Sequence, residues 1–570
     1  MNRKLTMKKI LFIGFCLLTQ LAVAQKEAPK WVDKAKKAVF SVVTYDKEDK
    51  LLNTGNGFFV TEDGTALSDY SLFKGAQRAV VINFEGKQMP VKSILGVNEM
   101  YDVVKFKVEV LKKVPALEIT TVAPVKNSEI YLLPYSTKKD RSCSIGKVVE
   151  VSPLQGGHHY YTLQLSFTDK KVSCPVVDAD GQVFGLAQKD ASGDTTRCYA
   201  VGASFAMSLA VNGLSFNDAS LKNIGIPKAL PDTEEQALIM LYMTAPTLSA
   251  DDYLSLLNQF IELYPNSTSG YLRRASHYAF RKDDKSLTLA EEDLNKAMKL
   301  ADKKDDIFYN ESNIIYTYQL GKPEHLYKDW TYAKALEDID KALALNSLPI
   351  YTQHKGNIYF AMQDYEKAYA CYDQVNKTNI ASAETFYSAA KAKQLMKGDL
   401  TEVLALLDSA VAKFTAPLPA EAAPYIFERA QVREQKGVYK DAVADYDTYY
   451  QAVNGKVNDL FYYYREQANY KAKNFKRALE DIQKAIELSP KDPSYLAELG
   501  AVNIRIARYE EAIKNSQDAL AIDPKFAACY RLMGFCQIQL GKKTEACQNF
   551  AKAKELGDTA VDSLIEKYCK

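Results

Sequence analysis

The chain has 570 residues, more than one domain usually holds, and its 47% hydrophobic and 25% charged content is that of ordinary globular protein. Its 73 basic and 71 acidic residues give a formal charge of +2 and are mixed along the sequence. That excludes the basic patch expected of a nucleic-acid binder. Beyond residue 25 no run of 18 apolar residues occurs, so no membrane-spanning helix is expected.

In chain order, residues 1–24 read as an export signal. Lys8 and Lys9 form the basic start, Ile10 to Leu18 the apolar centre, and Ala22-Val23-Ala24 a small-residue cleavage site before Gln25. Cys16 follows Phe15, where a lipid-attachment signal needs a small residue, so no lipid anchor is expected. A glutamine directly after the cleavage site resembles exported proteins of Bacteroidota-type bacteria. The implied location is the periplasm of a Gram-negative bacterium, or outside the cell.

Residues 25–214 form the next segment, rich in short β-prone runs. Val39 to Tyr45, Gly57 to Val60, Ala79 to Phe84, Val103 to Val108, Ile130 to Leu133, Tyr160 to Phe167 and Val183 to Leu186 are predicted strands. Asp63-Gly64 and Asp180-Gly181 mark tight turns. Many short strands over this length predict an all-β barrel or sandwich.

Several short motifs here fall in the order of an HtrA-type trypsin-like serine protease domain. Gly55-Asn56-Gly57-Phe58-Phe59-Val60 with Glu62-Asp63-Gly64 resembles its opening. Leu67-Ser68-Asp69-Tyr70-Ser71-Leu72-Phe73-Lys74-Gly75-Ala76 resembles the strand end that carries the catalytic histidine, and Ser71 stands in the histidine's place. Tyr101-Asp102-Val103-Val104 resembles the segment of the catalytic aspartate, matched by Asp102. Pro175 to Gly185 resembles the strand pair and turn that come after the nucleophile motif, so Val172 stands at the nucleophile and Lys170 at the oxyanion-hole glycine. Tyr199-Ala200-Val201-Gly202 resembles the closing strand. The resemblance implies a double β-barrel over about a third of the chain.

Acyl transfer by such a domain needs a nucleophile, a base and donors aimed at the developing oxyanion. Ser71 cannot take a proton at neutral pH and Val172 offers only methyl groups. The segment's two histidines, His158 and His159, are adjacent in a predicted strand and point to opposite faces. The expectation is a pseudoprotease with no catalytic residues, its degenerate triad being Ser71, Asp102 and Val172.

Between residues 215 and 233 periodicity lapses around Gly225, Pro227 and Pro231, and this stretch reads as a linker. Residues 234–570 then keep a helical period. Ala478, Ala512 and Ala546 are spaced by 34 residues, as are Ala485, Ala519 and Ala553, and Leu488, Ile522 and Leu556. Pro490 and Pro524 keep the same step. This resembles the tetratricopeptide (TPR) helical hairpin. The position of Ala478 runs back through Ala442, Val403, Ala368, Ala335 and Ala290, with an insertion around Gly321 to His325. Eight to nine hairpins and a capping helix over Val561 to Tyr568 are expected. The predicted fold class is therefore multidomain: an N-terminal all-β trypsin-like double barrel, then an all-α TPR solenoid.

TPR hairpins imply a groove lined by their first helices. There Tyr463, Gln467, Tyr470, Lys471, Arg505, Arg531, Phe535 and Gln539 are the candidate binding residues, half of which would equally serve packing between hairpins. Aromatic and basic groups together suit an extended peptide of acidic character. Cys174 with Cys198, or Cys536 with Cys547, are candidate disulfides, free buried thiols being the alternative. No metal-binding or redox cysteine motif is present, and no cofactor is implied. The function expected is an exported protein-interaction scaffold whose dead protease domain adds a second docking surface. The alternative is a diverged trypsin-like peptidase that recruits substrate through its TPR hairpins.

Overall fold

The computed structural model describes residues 28–570, apart from 121, 139–140, 191 and 216–217. The export signal expected in residues 1–24 lies outside the described residues. The chain divides into two compact units, the first ending at His277 and the second running from Tyr278 to Lys570.

The first unit holds two closed six-stranded antiparallel barrels. In the first, β1 (Val39–Tyr45), β2 (Leu51–Phe59), β3 (Thr65–Ser68), β4 (Arg78–Ile82), β5 (Gln88–Asn98) and β6 (Val103–Val108) are ordered β1-β2-β3-β6-β5-β4. In the second, β7 (Glu129–Leu132), β8 (Ser144–Pro153), β9 (His159–Gln164), β10 (Pro175–Val177), β11 (Val183–Gln188) and β12 (Arg197–Gly202) are ordered β10-β11-β12-β9-β8-β7. Strands β5 and β8 are not evident from the sequence, because polar residues and a register shift interrupt the apolar alternation of each. Phe40, Phe59, Phe73, Ile94 and Phe106 fill the first barrel. Ile130, Leu132, Val148, Leu163 and Phe184 fill the second. Phe58, Leu67, Val103, Leu133, Val177 and Val201 form a third cluster where the barrels meet.

The stretch read as a linker is docked on the first barrel. Asn223 O accepts from Gly75 N–H, Gly225 N–H donates to Ala76 O, Pro227 O accepts from Ile94 N–H, and Ala229 N–H donates to Ile94 O. Leu221, Ile224 and Ile226 are buried in the first barrel's core, and Met240 of the helix Glu234–Thr244 joins them. Loss of periodicity in the sequence reflects an irregular covering strip, whose apolar residues are too few to form a pattern.

In the second unit helices pair antiparallel, from Lys304–Leu320 with Tyr332–Leu345 through Ala527–Gln539 with Lys543–Glu555. Ala335, Ala368, Val403, Ala442, Ala478, Ala512 and Ala546 are all fully buried. Their side chains are small where two helices approach most closely. By contrast Leu488 and Ile522, which keep the same repeat, are largely exposed. From Gln363 onward the turns between paired helices pass through a left-handed residue: Gln363, Lys397, Gly437, Lys473, Ala507 and Gly541, with φ of 62, 56, 79, 63, 59 and 78°. That conformation lets the turn satisfy the helix-end carbonyls, as where Arg508 N–H donates to Asn503 O and Lys542 N–H to Gln537 O. The insertion packs on the flanking helices: Trp330 is buried edge-on against Tyr318 and Tyr327, and Tyr327 and Lys328 bond Glu291 of the helix Asp284–Leu300.

Cys174 and Cys198 are not bonded, and both are buried free thiols in the second barrel. Cys174 adjoins β10 and Cys198 lies on β12, with β11 between them. Two strand spacings are about 10 Å, beyond the reach of a disulfide. Nor does Cys547 pair with Cys536, which is free and buried. It bonds Cys569, with Cα atoms 5.7 Å apart, because the helix Asp562–Tyr568 folds back on the helix Lys543–Glu555. Among the described residues no helix is long and apolar enough to cross a membrane.

Candidate functional site

In the first unit Ser71, Asp102 and Val172, the three positions aligned with a catalytic triad, meet in one cleft of about 670 Å³ with Asp69, Tyr101, Tyr160 and Gln188 among its other lining residues. Strand β3 ends at Ser68, and the single-turn helix Tyr70–Phe73 presents Ser71. Asp102 sits in the β5–β6 turn with φ of 48°. Both donors of Ser71 are spent on it: the backbone N–H on Oδ1 at 2.6 Å and the hydroxyl on Oδ2 at 3.0 Å. Neither His158 nor His159 lines the cleft. His158 Nδ1 lies 3.1 Å from Ser204 Oγ instead.

The loop that carries Val172 is closed on itself. A 3₁₀ turn over Asp169–Lys171 makes Lys171 N–H donate to Thr168 O and Val172 N–H to Asp169 O. Ser173 N–H donates to Ala187 O and Cys174 N–H to Lys171 O. The Asn56 amide donates to Lys170 O and Val172 O, fixing the loop to β2. The backbone N–H groups of residues 171–174 therefore all have partners inside the domain.

Asp69 does not stand out in the sequence, where it lies between the end of β3 and Ser71. It is 4% exposed, and its Oδ1 has no hydrogen-bond partner, nor has the hydroxyl of Ser173, which is 1% exposed and has φ of 63°. Burial, and then the charge of Asp102, push the Asp69 carboxyl up to about 8. At neutral pH this group is mostly an uncharged acid. Tyr160 is pushed up to about 12, chiefly by burial, and donates to Gln188, whose amide donates to Tyr101 O at 2.6 Å.

In the second unit the predicted groove residues divide into separate groups. On the helix Asp459–Lys471, Tyr463 packs 5.5 Å from the Tyr495 ring, and Gln467 donates to Glu466 Oε2 at 2.6 Å. Tyr470 accepts from Arg505 Nε at 2.6 Å, with the guanidinium 5.4 Å from its ring centre. Lys471 lies over the Tyr439 ring at 5.6 Å. Arg531 is engaged elsewhere, 2.6 Å from Asp558 Oδ2. Phe535 is half-buried and Gln539 exposed. The two arginines expected to meet an acidic peptide thus already have intramolecular partners.

Sequence reasoning missed three carboxyls on consecutive first helices: Glu434, Glu466 and Glu498. The signal was present as an equal step of 32 residues, slightly short of the repeat, which carries them diagonally across the helices Ala423–Gln435, Asp459–Lys471 and Pro493–Arg505. Burial raises all three, and Glu466 reaches about 8, next through the charge of Glu498 and further through Asp481 and Glu434.

Residues 55–186 match the family model of the trypsin-like peptidase domain. Among curated proteins the chain is similar to the TPR repeat-containing protein MJ1428 of Methanocaldococcus jannaschii, 26% identical over 213 residues, which are 36% of this chain and 35% of that protein. It thus spans about a third of that relative's length. Among solved structures it is similar to the active form of the Rv3671c protease from M. tuberculosis, with 17% identity, 35% of this chain and 87% of that one covered, and a TM-score of 0.28. The chain carries a trypsin-like peptidase domain of two β-barrels, followed by a helical repeat region akin to TPR arrays.

Proposed function

We infer that this is an exported interaction scaffold: the repeat array binds a partner protein or peptide, and the trypsin-like domain is a pseudoprotease that adds a docking surface. One observation carries the reading. Ser71, at the position of the general base, spends both its donors on Asp102 and has no imidazole to offer. Two further features agree with it. Val172 supplies no nucleophile, and its N–H, which an oxyanion hole would need free, is directed at Asp169 O. Loss of base or nucleophile alone lowers kcat on the order of 10⁶-fold in a comparable triad. The remaining cleft suits docking without turnover, and the TPR-containing relative makes partner binding the natural role for the array.

A fluorophosphonate probe labels only an activated serine, and it should leave the purified protein unmodified. V172S alone should stay inert, since Ser71 cannot accept the proton. Labelling of the wild-type protein that disappears in S173A would overturn the pseudoprotease reading in favour of a diverged peptidase. For the scaffold role, full-length protein and a chain lacking the array should differ in what they retain, the array carrying the partner.

A further inference from the structure

Three buried aspartates of the array meet cations from its own sequence, while Asp305 is held by the Asn346 amide and the Tyr351 hydroxyl. Asp445 has Arg429 at 2.6 Å and Arg433 at 2.7 Å, Asp481 has Arg465 at 2.7 Å, and Asp338 has Lys334 and Lys341. Glu434, Glu466 and Glu498 depart from that practice. Among the described residues none of the three forms an ion pair with lysine or arginine. Glu434 accepts only from Tyr446 OH, at 2.8 Å. Glu466 is 0% exposed, its Oε2 takes the Gln467 amide, and its Oε1 has no partner. Glu498 is half-buried, and its charge bears on both Glu466 and the Tyr463 hydroxyl.

The surroundings do not neutralise this diagonal. From the helix Phe475–Leu488 it meets Asp481, whose charge is already matched by Arg465. Lys471, on the same helix as Glu466, eases only Glu434. The carboxyls do not converge as metal ligands would, for no group of three or more suited to a metal occurs among the described residues. A partly desolvated row of carboxyl groups beside tyrosine rings is complementary to a weakly hydrated, flat cation.

We propose that the array groove running from the helix Ala423–Gln435 to the helix Pro493–Arg505 takes an extended peptide segment bearing arginines, whose guanidinium groups are received by Glu434 and by Glu498 in turn, with Glu466 buried on the helix between them. This rests on the reading of the array as a partner-binding groove, and replaces the acidic peptide expected from the sequence. Because Glu466 holds a proton near neutral pH, arrival of guanidinium groups at Glu434 and Glu498 on either side expels that proton to solvent.

The test uses the full chain with two acetylated, amidated probes, Ala-Arg-Ala-Arg-Ala-Arg-Ala and its glutamate counterpart, titrated calorimetrically at pH 7 in phosphate and in Tris. The arginine probe should bind more tightly than the glutamate probe by at least about tenfold, and its binding heat should differ between buffers because a proton leaves. E434Q and E498Q should each weaken it about tenfold. E466Q should remove the buffer dependence, whereas E480Q, at an exposed position on the neighbouring helix, should change nothing. Equal affinity for both probes, no binding of the arginine probe, or affinity indifferent to E434Q and E498Q would overturn the proposal. If the glutamate probe binds instead and loses affinity in R505A, the groove reading survives and only the cation is wrong.

Discussion

A carboxyl held above its ordinary range in the fold is a stability term with a definite sign. Glu466 binds its proton up to about pH 8 when folded but only to about 4.5 when unfolded. Between those values the native state holds the extra proton, so stability falls as pH rises and the loss is complete above 8. E466Q keeps the shape and removes the titration. The wild type should therefore lose stability relative to E466Q between pH 5 and 8, by on the order of 4 kcal/mol if the whole interval is expressed. Urea melts of the two proteins at pH 5 and pH 8 measure it, and parallel pH dependence would show that Glu466 is solvated. Asp69 obeys the same rule in the cleft, where its neutral form also spares Asp102 a buried negative neighbour. Neither residue announces itself in the sequence. A glutamate in a charged helix and an aspartate after a strand look solvated until the fold surrounds them.

At the scale of the helix pair, what the sequence discloses is the spacing of small residues. A 34-residue alanine period locates fully buried positions on the second helices of the hairpins directly. The same period holds a second message that the alanine pattern overshadows. Three residues after Ala335, Ala442 and Ala478 stand Asp338, Asp445 and Asp481, all buried against basic partners. A charged residue in an amphipathic helix is ordinarily assigned to the wet face, and only the arginine or lysine that meets it reveals otherwise. Glycines on the first helices separate real contact from spare room. A Cβ at Gly534 would stand 2.6 Å from the ring of fully buried Phe550, while at Gly500 its nearest neighbour would be Ala512 O at 3.4 Å. Gly534→Ala should destabilise by about 1–3 kcal/mol through overpacking. Gly500→Ala should stabilise by up to about 1 kcal/mol through helix propensity. Thermal melts moving in the same direction for both would contradict this packing.

At the scale of the whole molecule, the double barrel is legible because short motifs keep their order across residues 55–186. The end of the domain is not. Residues after Leu214 carry no strand pattern, yet they cover the first barrel through Leu221, Ile224 and Ile226 and hydrogen-bond along Ile94. A fragment ending at Leu214 would expose that apolar surface, whereas one ending at His277 retains the strip and the helix that bears Met240. The longer fragment should be soluble and melt cooperatively, and the shorter should aggregate or melt without a transition. Equal cooperative melting of the two by circular dichroism would show that the strip is dispensable.

The bond between Cys547 and Cys569 bears on how such a stack comes apart. Helical repeats hold mainly their neighbours, so an array is lost by peeling, one hairpin after another, from whichever side loosens first. The closed loop of 22 residues tethers the helix Asp562–Tyr568 to the preceding hairpin, so a helix that lets go is held within reach of its seat. Peeling from that side is suppressed for as long as the surroundings are oxidising. The bond thereby gives the array a polarity in time that its repeating geometry lacks, and a reducing environment would erase it.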